Sequence, residues 1–100
     1  MLYAIIGTDR PDSLAARVAA RPSHLHRLEQ LQAEGRLVLA GPFPMIDTPN
    51  PGPAGFAGSL IVAEFATLSD ARAWADADPY VAAAVYAEVQ VHPFKQVFPR

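Results

Sequence analysis

The 100-residue chain reads as an α+β domain of the ferredoxin-like order β-α-β-β-α-β, and three observations carry that reading. Four apolar segments have strand character. Two stretches bearing helix start and stop signals separate the first strand from the second and the third from the fourth. A segment dense in proline and glycine stands between the two middle strands. That order predicts a four-stranded antiparallel sheet with both helices on one face, in a single domain spanning residues 1–100.

Residues 2–7, LYAIIG, are apolar nearly throughout, as in a strand covered on both faces. TDRPDS is a turn cluster, after which Asp12 or Ser13 is placed to cap a short helical stretch through Arg17 and Ala20. Pro22 fits the first turn of the main helix, where its missing N–H has no partner to lose, and Gly35 fits the C′ position that ends it. RLVLAGPFP, residues 36–44, reads as a second strand stopped by prolines. Residues 45–58 are too rich in proline and glycine for a regular element and are expected to form a long loop able to exclude water from a site. SLIVAEF, 59–65, is a third strand. Thr67 caps the next helix with Asp70 at the capping-box spacing, and that helix runs through Trp74 to about Ala77. DPYVAAAVY opens with a proline-started helical turn, and VYAEVQVHPFKQVF, 85–98, is the fourth strand.

Alternation along the fourth strand sends Val85, Ala87, Val89 and Val91 toward the helices and Tyr86, Glu88, Gln90 and His92 to the other face. Strands one and three carry apolar residues on both sides, among them Tyr3, Ile5, Leu60 and Val62. An apolar-leaning sheet face with no helix over it calls for a cover, and the simplest is a second copy. The expectation is therefore a homodimer, sheet against sheet, with the mixed face lining a shared interior; the competing expectation is a monomer with a partly solvated sheet.

A net charge of −2 with one lysine and scattered arginines leaves no basic face, which argues against nucleic acid. The chain has no cysteine, so thiolate chemistry is excluded, and a reducing cytoplasm is the expected location. The opening MLYAIIG has no positive n-region, and no apolar run approaches the roughly 20 residues a bilayer requires, so no membrane association is expected. Ser59 in GFAGS lacks the nucleophile-elbow pattern, and the glycines of PGPAGFAG lack phosphate-loop or dinucleotide spacing.

Two histidines, in RPSHLHRLEQL, decide where chemistry is sought. With about 100° per residue and Leu25 at zero, Leu28 falls near 300°, Leu31 near 240°, His24 near 260° and His26 near 100°. His24 thus shares the apolar stripe while His26 points about 160° away, so the pair cannot share a metal ion. No metal site is expected. His24 has two readings: a core histidine bonded to a backbone carbonyl, or a general base oriented by a carboxylate. Asp78 is the best partner, because Pro79 disfavours helical geometry before it and places it at a break; Asp-Pro is equally an N-cap signal. Asp76 remains in the outgoing helical turn and suits the role less well.

These residues, RPSHLHRLEQLQAEGRLVLAGP followed by ADADPYVAAAVYAEVQVHPFK, closely resemble the YciI-like, or YCII-related, family of small bacterial proteins, from MLYAII to FKQVF. The resemblance implies a dimeric α+β barrel and a histidine–aspartate pair that lands on His24 and Asp78. It places the family's A-G-P on Ala40, Gly41 and Pro42, beside the pocket. One relative is regarded as a dehydrochlorinase of a hydroxyquinol-type aromatic.

With neither thiol nor metal ligands nor phosphate loop, proton-driven chemistry remains: elimination, isomerisation, lactone opening or cyclisation, without a cofactor; a small cyclic or aromatic substrate is what the resemblance implies. Arg21 can pair with an anionic group of the substrate or stay solvated, Gly41 and Pro42 can admit a ligand close to the backbone, and Tyr80 can line the opening or pack. The competing class is a non-catalytic dimer that binds a small ligand or a protein, with Asp78 serving only as a cap.

Overall fold

A computed structural model describes all 100 residues. Its elements are β1 (Leu2–Asp9), α1 (Leu14–Ala33), β2 (Leu37–Pro44), β3 (Phe56–Glu64), α2 (Leu68–Asp76), the short α3 (Pro79–Ala82) and β4 (Tyr86–Phe94). The strands form one sheet of order β2-β3-β1-β4, every pairing antiparallel, as the ferredoxin-like reading predicts.

Register explains which residues meet the helices. Tyr3 pairs with Ala63 and Ile5 with Ile61, and these directly opposed residues share the face covered by Leu28 and Leu31 of α1 and Ala71 and Ala75 of α2. Phe65 sits edge-on to Tyr3 and tilted against Trp74, which closes the core between the sheet and α2. A second, smaller cluster of Tyr80, Val85 and Tyr86 lies under the amino-terminal half of α1, against Ala16 and Ala20.

Four expectations are corrected. Residues 14–33 form one helix of 20 residues, with Pro22 inside it rather than at its start. An interior proline removes one backbone bond, to the carbonyl of Val18; Val18 and Pro22 are both exposed, so water can take that carbonyl. Ser13 holds the N-cap position, but its side chain makes no capping bond.

The third strand begins at Phe56, so the connecting loop covers only 45–55 and contains a single 3-10 turn, Gly52–Ala54. Gly58, which resembled loop composition, is a strand residue facing the backbone of β1. A Cβ there would stand 2.0 Å from the Gly7 carbonyl oxygen, so only glycine fits.

In β4 the alternation fails at its start. Glu88 pairs with Thr8 but Tyr86 pairs with Asp9, leaving Ala87 as an extra, bulged residue. The bulge reverses the expected directions: Tyr86 is buried on the helix side and Ala87 is exposed, whereas Val85, Val89 and Val91 keep their inward orientation. The Tyr86 ring lies over Gly7, whose missing side chain would otherwise come within 2.4 Å of it. Finally, β4 ends at Phe94 rather than extending to 98.

Other local readings hold. Gly35 adopts φ 71° just past α1, where Arg36 N donates to the Leu31 carbonyl. Asp70 N donates to Thr67 Oγ1 at 3.0 Å at the start of α2. On the sheet face away from the helices, Ile6 pairs with Leu60 and Leu39 with Val62, while Leu39, Phe43 and Phe94 are exposed. No helix of the chain is long and apolar enough to cross a membrane.

Candidate active site

Between the middle of α1 and the edge strand β2 lies a cleft of about 180 Å³. His24 and Leu28 form its α1 wall, with Arg17 and Arg21 toward the amino terminus of the helix; Ala40, Gly41 and Pro42 form the opposite wall. Ser59 and Ile61 of β3 make the floor, and Tyr80 closes one end.

The stripe geometry that turned His24 inward holds. His24 is buried, 6 % exposed, whereas His26 is exposed. Its Nδ1 lies 2.9 Å from Asp78 Oδ2 and 3.0 Å from Asp78 Oδ1. An ionised carboxylate only accepts, so Nδ1 carries the hydrogen and donates it. That leaves Nε2, on the far side of the ring, with no partner in the protein. The Tyr80 ring stacks on the imidazole, centroids 4.0 Å apart and planes 14° from parallel, and Tyr80 in turn meets Tyr86 edge-on. The ring is thus fixed along one edge and one face.

Asp78 makes both contacts foreseen for it, to His24 and as a cap. At the N-cap of α3, its Oδ1 accepts from Tyr80 N at 2.9 Å while its two oxygens face His24. Pro79 at the first helical position sets the extended backbone at Asp78, φ −60° and ψ 133°, that turns the carboxylate back toward α1. Asp76 pairs with Arg72 at the surface and does not approach the cleft.

A second buried pair adjoins the first. Asp9, the last residue of β1, takes a two-pronged hydrogen bond from Arg17, Nε to Oδ2 and Nη2 to Oδ1, both 2.8 Å, with side-chain exposures of 6 % and 3 %. Arg17 Nη2 also donates to Ser59 Oγ at 2.9 Å. Burial by itself lowers the Arg17 pKa, but the Asp9 carboxylate outweighs it and leaves the guanidinium more firmly protonated than usual. Burial pushes the hydroxyls of Tyr80 and Tyr86 above the ordinary tyrosine range, so both stay neutral at physiological pH.

Every residue assigned a role from the sequence borders this cleft or holds a residue that does. Arg21 is exposed at its mouth, and Tyr80 both lines and packs. Gly41 borders it through its backbone only. It pairs with Leu60 on the other face, and a Cβ there would meet nothing within 4 Å, so access does not depend on glycine. The 45–58 segment contributes no wall residue. It approaches only through Phe56, whose ring centre is 5.5 Å from Arg17 Cζ, while Met45, Pro53 and Ala54 border a separate cavity beside the β1–α1 turn. The expected lid is therefore not over this site, because β3 starts early and draws the segment toward the end of the sheet. Asp9, Arg17 and Ser59 had no assigned role. No three histidine, aspartate or glutamate side chains converge as metal ligands would.

Fold and cleft together define a ferredoxin-like α+β domain with a buried histidine–aspartate hydrogen bond at a small cavity. The chain belongs to the YCII-related domain family, whose model matches residues 1–95. It is 58 % identical to Protein YciI of Escherichia coli O6:H1 over 98 residues, 98 % of this chain and 100 % of that one. It is 55 % identical, with the same coverage, to an uncharacterized protein of Haemophilus influenzae. Among solved structures it is similar to 5-chloro-2-hydroxyhydroquinone dehydrochlorinase (TftG) from Burkholderia phenoliruptrix in complex with 2,5-dihydroxybenzoquinone: TM-score 0.82, 28 % identity, 95 % of this chain and 94 % of that one. Protein Atu4242 of Agrobacterium tumefaciens shares the fold at TM-score 0.51 and 18 % identity, covering 98 % and 95 %.

Proposed function

We propose that this protein is a cofactor-independent, cytoplasmic enzyme in which His24, oriented by Asp78, performs general acid–base chemistry on a small cyclic or aromatic molecule. The observation that carries the proposal is an imidazole donating through Nδ1 to a buried carboxylate while Nε2 is left for the cleft. Asp78 holds one tautomer and stabilises the imidazolium formed when Nε2 takes a proton.

The reaction class is elimination or isomerisation, with lactone opening as a further member. Likeness to a dehydrochlorinase at 28 % identity supports elimination in particular. In that reaction Nε2 removes a proton from the substrate, the electron pair released forms a new π bond, and chloride leaves with the carbon–chlorine pair. The net change is loss of HCl, with no oxidant or reductant.

A competing reading, a non-catalytic binding domain, is favoured by one observation: Asp78 is a working N-cap whatever else it does. Chloride release from 5-chloro-2-hydroxyhydroquinone, with the rate followed against pH, separates the two. The enzyme reading expects turnover that His24→Gln lowers by about 10²-fold or more. Turnover equal in wild type and variant, or absent with both this compound and a panel of small lactones, would sink it.

The working unit in this proposal is a homodimer paired through the open sheet face. Exposed Leu39, Phe43 and Phe94 beside Ile6 and Leu60 support it. Light scattering should give twice the chain mass and half that value for Ile6→Lys; a wild-type monomer at micromolar concentration would refute it.

A further inference from the structure

Arg17 is 95 % buried and still has donors to give. A guanidinium carries five N–H groups. Asp9 engages one on Nε and one on Nη2, and Ser59 takes the second on Nη2, so both hydrogens of Nη1 remain. The Tyr80 hydroxyl is the one side-chain acceptor beside the remaining guanidinium hydrogens, Nη1 is not sealed from the cavity, and Arg17 forms part of the cleft wall. Ser59 is in a similar position. Its oxygen accepts from Arg17, its side chain reaches the cleft floor, 3 % exposed, and its hydrogen can turn either to the neighbouring Tyr86 hydroxyl or to a ligand.

We infer that Arg17 and Ser59 are the oxyanion-recognising half of this cleft, and that the ligands are small ring-borne monoanions of the phenolate or enolate type. The inference deepens the proposed function, on which it rests for the role of His24 in generating that anion.

Charge supports an anion over a neutral ligand. Both guanidiniums border the cleft, whereas Asp9 and Asp78, the carboxylates that balance the site, are turned away from it and bonded to Arg17 and His24. Arg21 at the mouth forms no ion pair. The Asp9 fork fixes the plane of the Arg17 group before any ligand arrives, so little reorganisation is needed when negative charge forms. Size supports a single ring. The cleft, about 180 Å³, is slightly larger than a cavity of about 150 Å³ that accepts benzene and smaller than the usual range of about 300–1,000 Å³ for drug-sized ligands. The side chains of Leu28, Pro42 and Ile61 match a planar apolar body.

The geometry makes chemical sense as a pair of opposed tasks. When Nε2 of His24 withdraws a proton from a ring hydroxyl or an adjacent carbon, the charge delocalises onto oxygen, and Arg17 and Ser59 are the donors that receive it.

4-Nitrophenol tests this, because its phenol and phenolate forms absorb at different wavelengths and it ionises near neutral pH. Its titration is followed free and bound to the intact protein, for wild type, Arg17→Lys, Ser59→Ala and His24→Gln, each checked for cooperative thermal unfolding. The expected result is that the bound dye ionises at lower pH than the free dye, with the phenolate held about tenfold tighter or more. Arg17→Lys should remove most of that preference, Ser59→Ala about threefold of it, and His24→Gln none. A neutral dye bound as tightly as its anion, or a preference that survives in Ser59→Ala and in folded Arg17→Lys, overturns the inference. So does a preference lost in His24→Gln alone, which would assign the anion to the imidazolium. Should Arg17→Lys not fold, Ser59→Ala alone decides. Phenolate preference that follows Arg17 and Ser59 in a protein lacking turnover would leave this site standing while the catalytic reading fails.

Discussion

Two buried carboxylates serve this cleft, and they differ in what they hold. Asp78 receives a hydrogen bond from an imidazole, a group that gains and loses a proton in the physiological range. Asp9 receives two from a guanidinium, which does not lose its proton there. In the proposed function the first pair carries the proton traffic and the second supplies a fixed field. The contrast shows how one helix supplies a variable and a constant charge from positions two turns apart, Arg17 and His24, using carboxylates from different elements to set each.

The comparison predicts unequal consequences when each partner is removed. Arg17→Ala leaves Asp9 buried and charged without a counter-ion, and about 3–5 kcal/mol of stability is expected to go. His24→Ala leaves Asp78 its backbone donor at Tyr80 N, so the expected loss is about 1–3 kcal/mol. Urea unfolding of the two variants checks the ranking, and a His24 variant as unstable as the Arg17 variant breaks it.

A finer division concerns Asp78 itself. Asparagine caps as well as aspartate, so Asp78→Asn should cost under about 1 kcal/mol. Turnover should nonetheless fall about tenfold or more, because a neutral amide no longer stabilises the imidazolium. Stability and turnover both unchanged in that variant would reduce Asp78 to a cap.

The smallest expected effect lies at alkaline pH. Tyr86 ionises at higher pH in the fold than its ordinary value of 10.0, because burial disfavours the phenolate. The folded state therefore retains a proton that the unfolded chain releases. The associated stability is complete below about pH 10 and is lost as pH rises beyond it toward the folded value. Tyr86→Phe should flatten this decline in melting temperature between about pH 9 and 11, and an unchanged slope would show that other groups govern it.

How much of this was legible is best seen along α1. His24 could be oriented from Leu25, Leu28 and Leu31 because a wheel needs only local periodicity. Arg17 lies on the same stripe. Continued back through Pro22, the same wheel puts it near 280°, beside the stripe centre. A helix started at Pro22 leaves Arg17 off the wheel; α1 overrides that local rule, because the freed Val18 carbonyl lies at an exposed position. Ser59 was weighed only as a nucleophile, and neither its motif nor its neighbours reveal that it borders the cleft floor.

Element order, the Thr67 and Asp78 caps, the end of α1 at Gly35 and the inward turn of His24 were determined by the sequence itself, since each depends on residues within a turn or two of one another. The joining of His24 to Asp78 across 54 positions and of Arg17 to Ser59 across 42 was settled by strand register and by the packing of α1 on the sheet. So was the inward turn of Tyr86, which a single bulged residue opposite β1 imposed. Side-chain direction reverses with each residue along a strand, and one inserted residue, visible only when two strands are paired, is enough to change what a face contains.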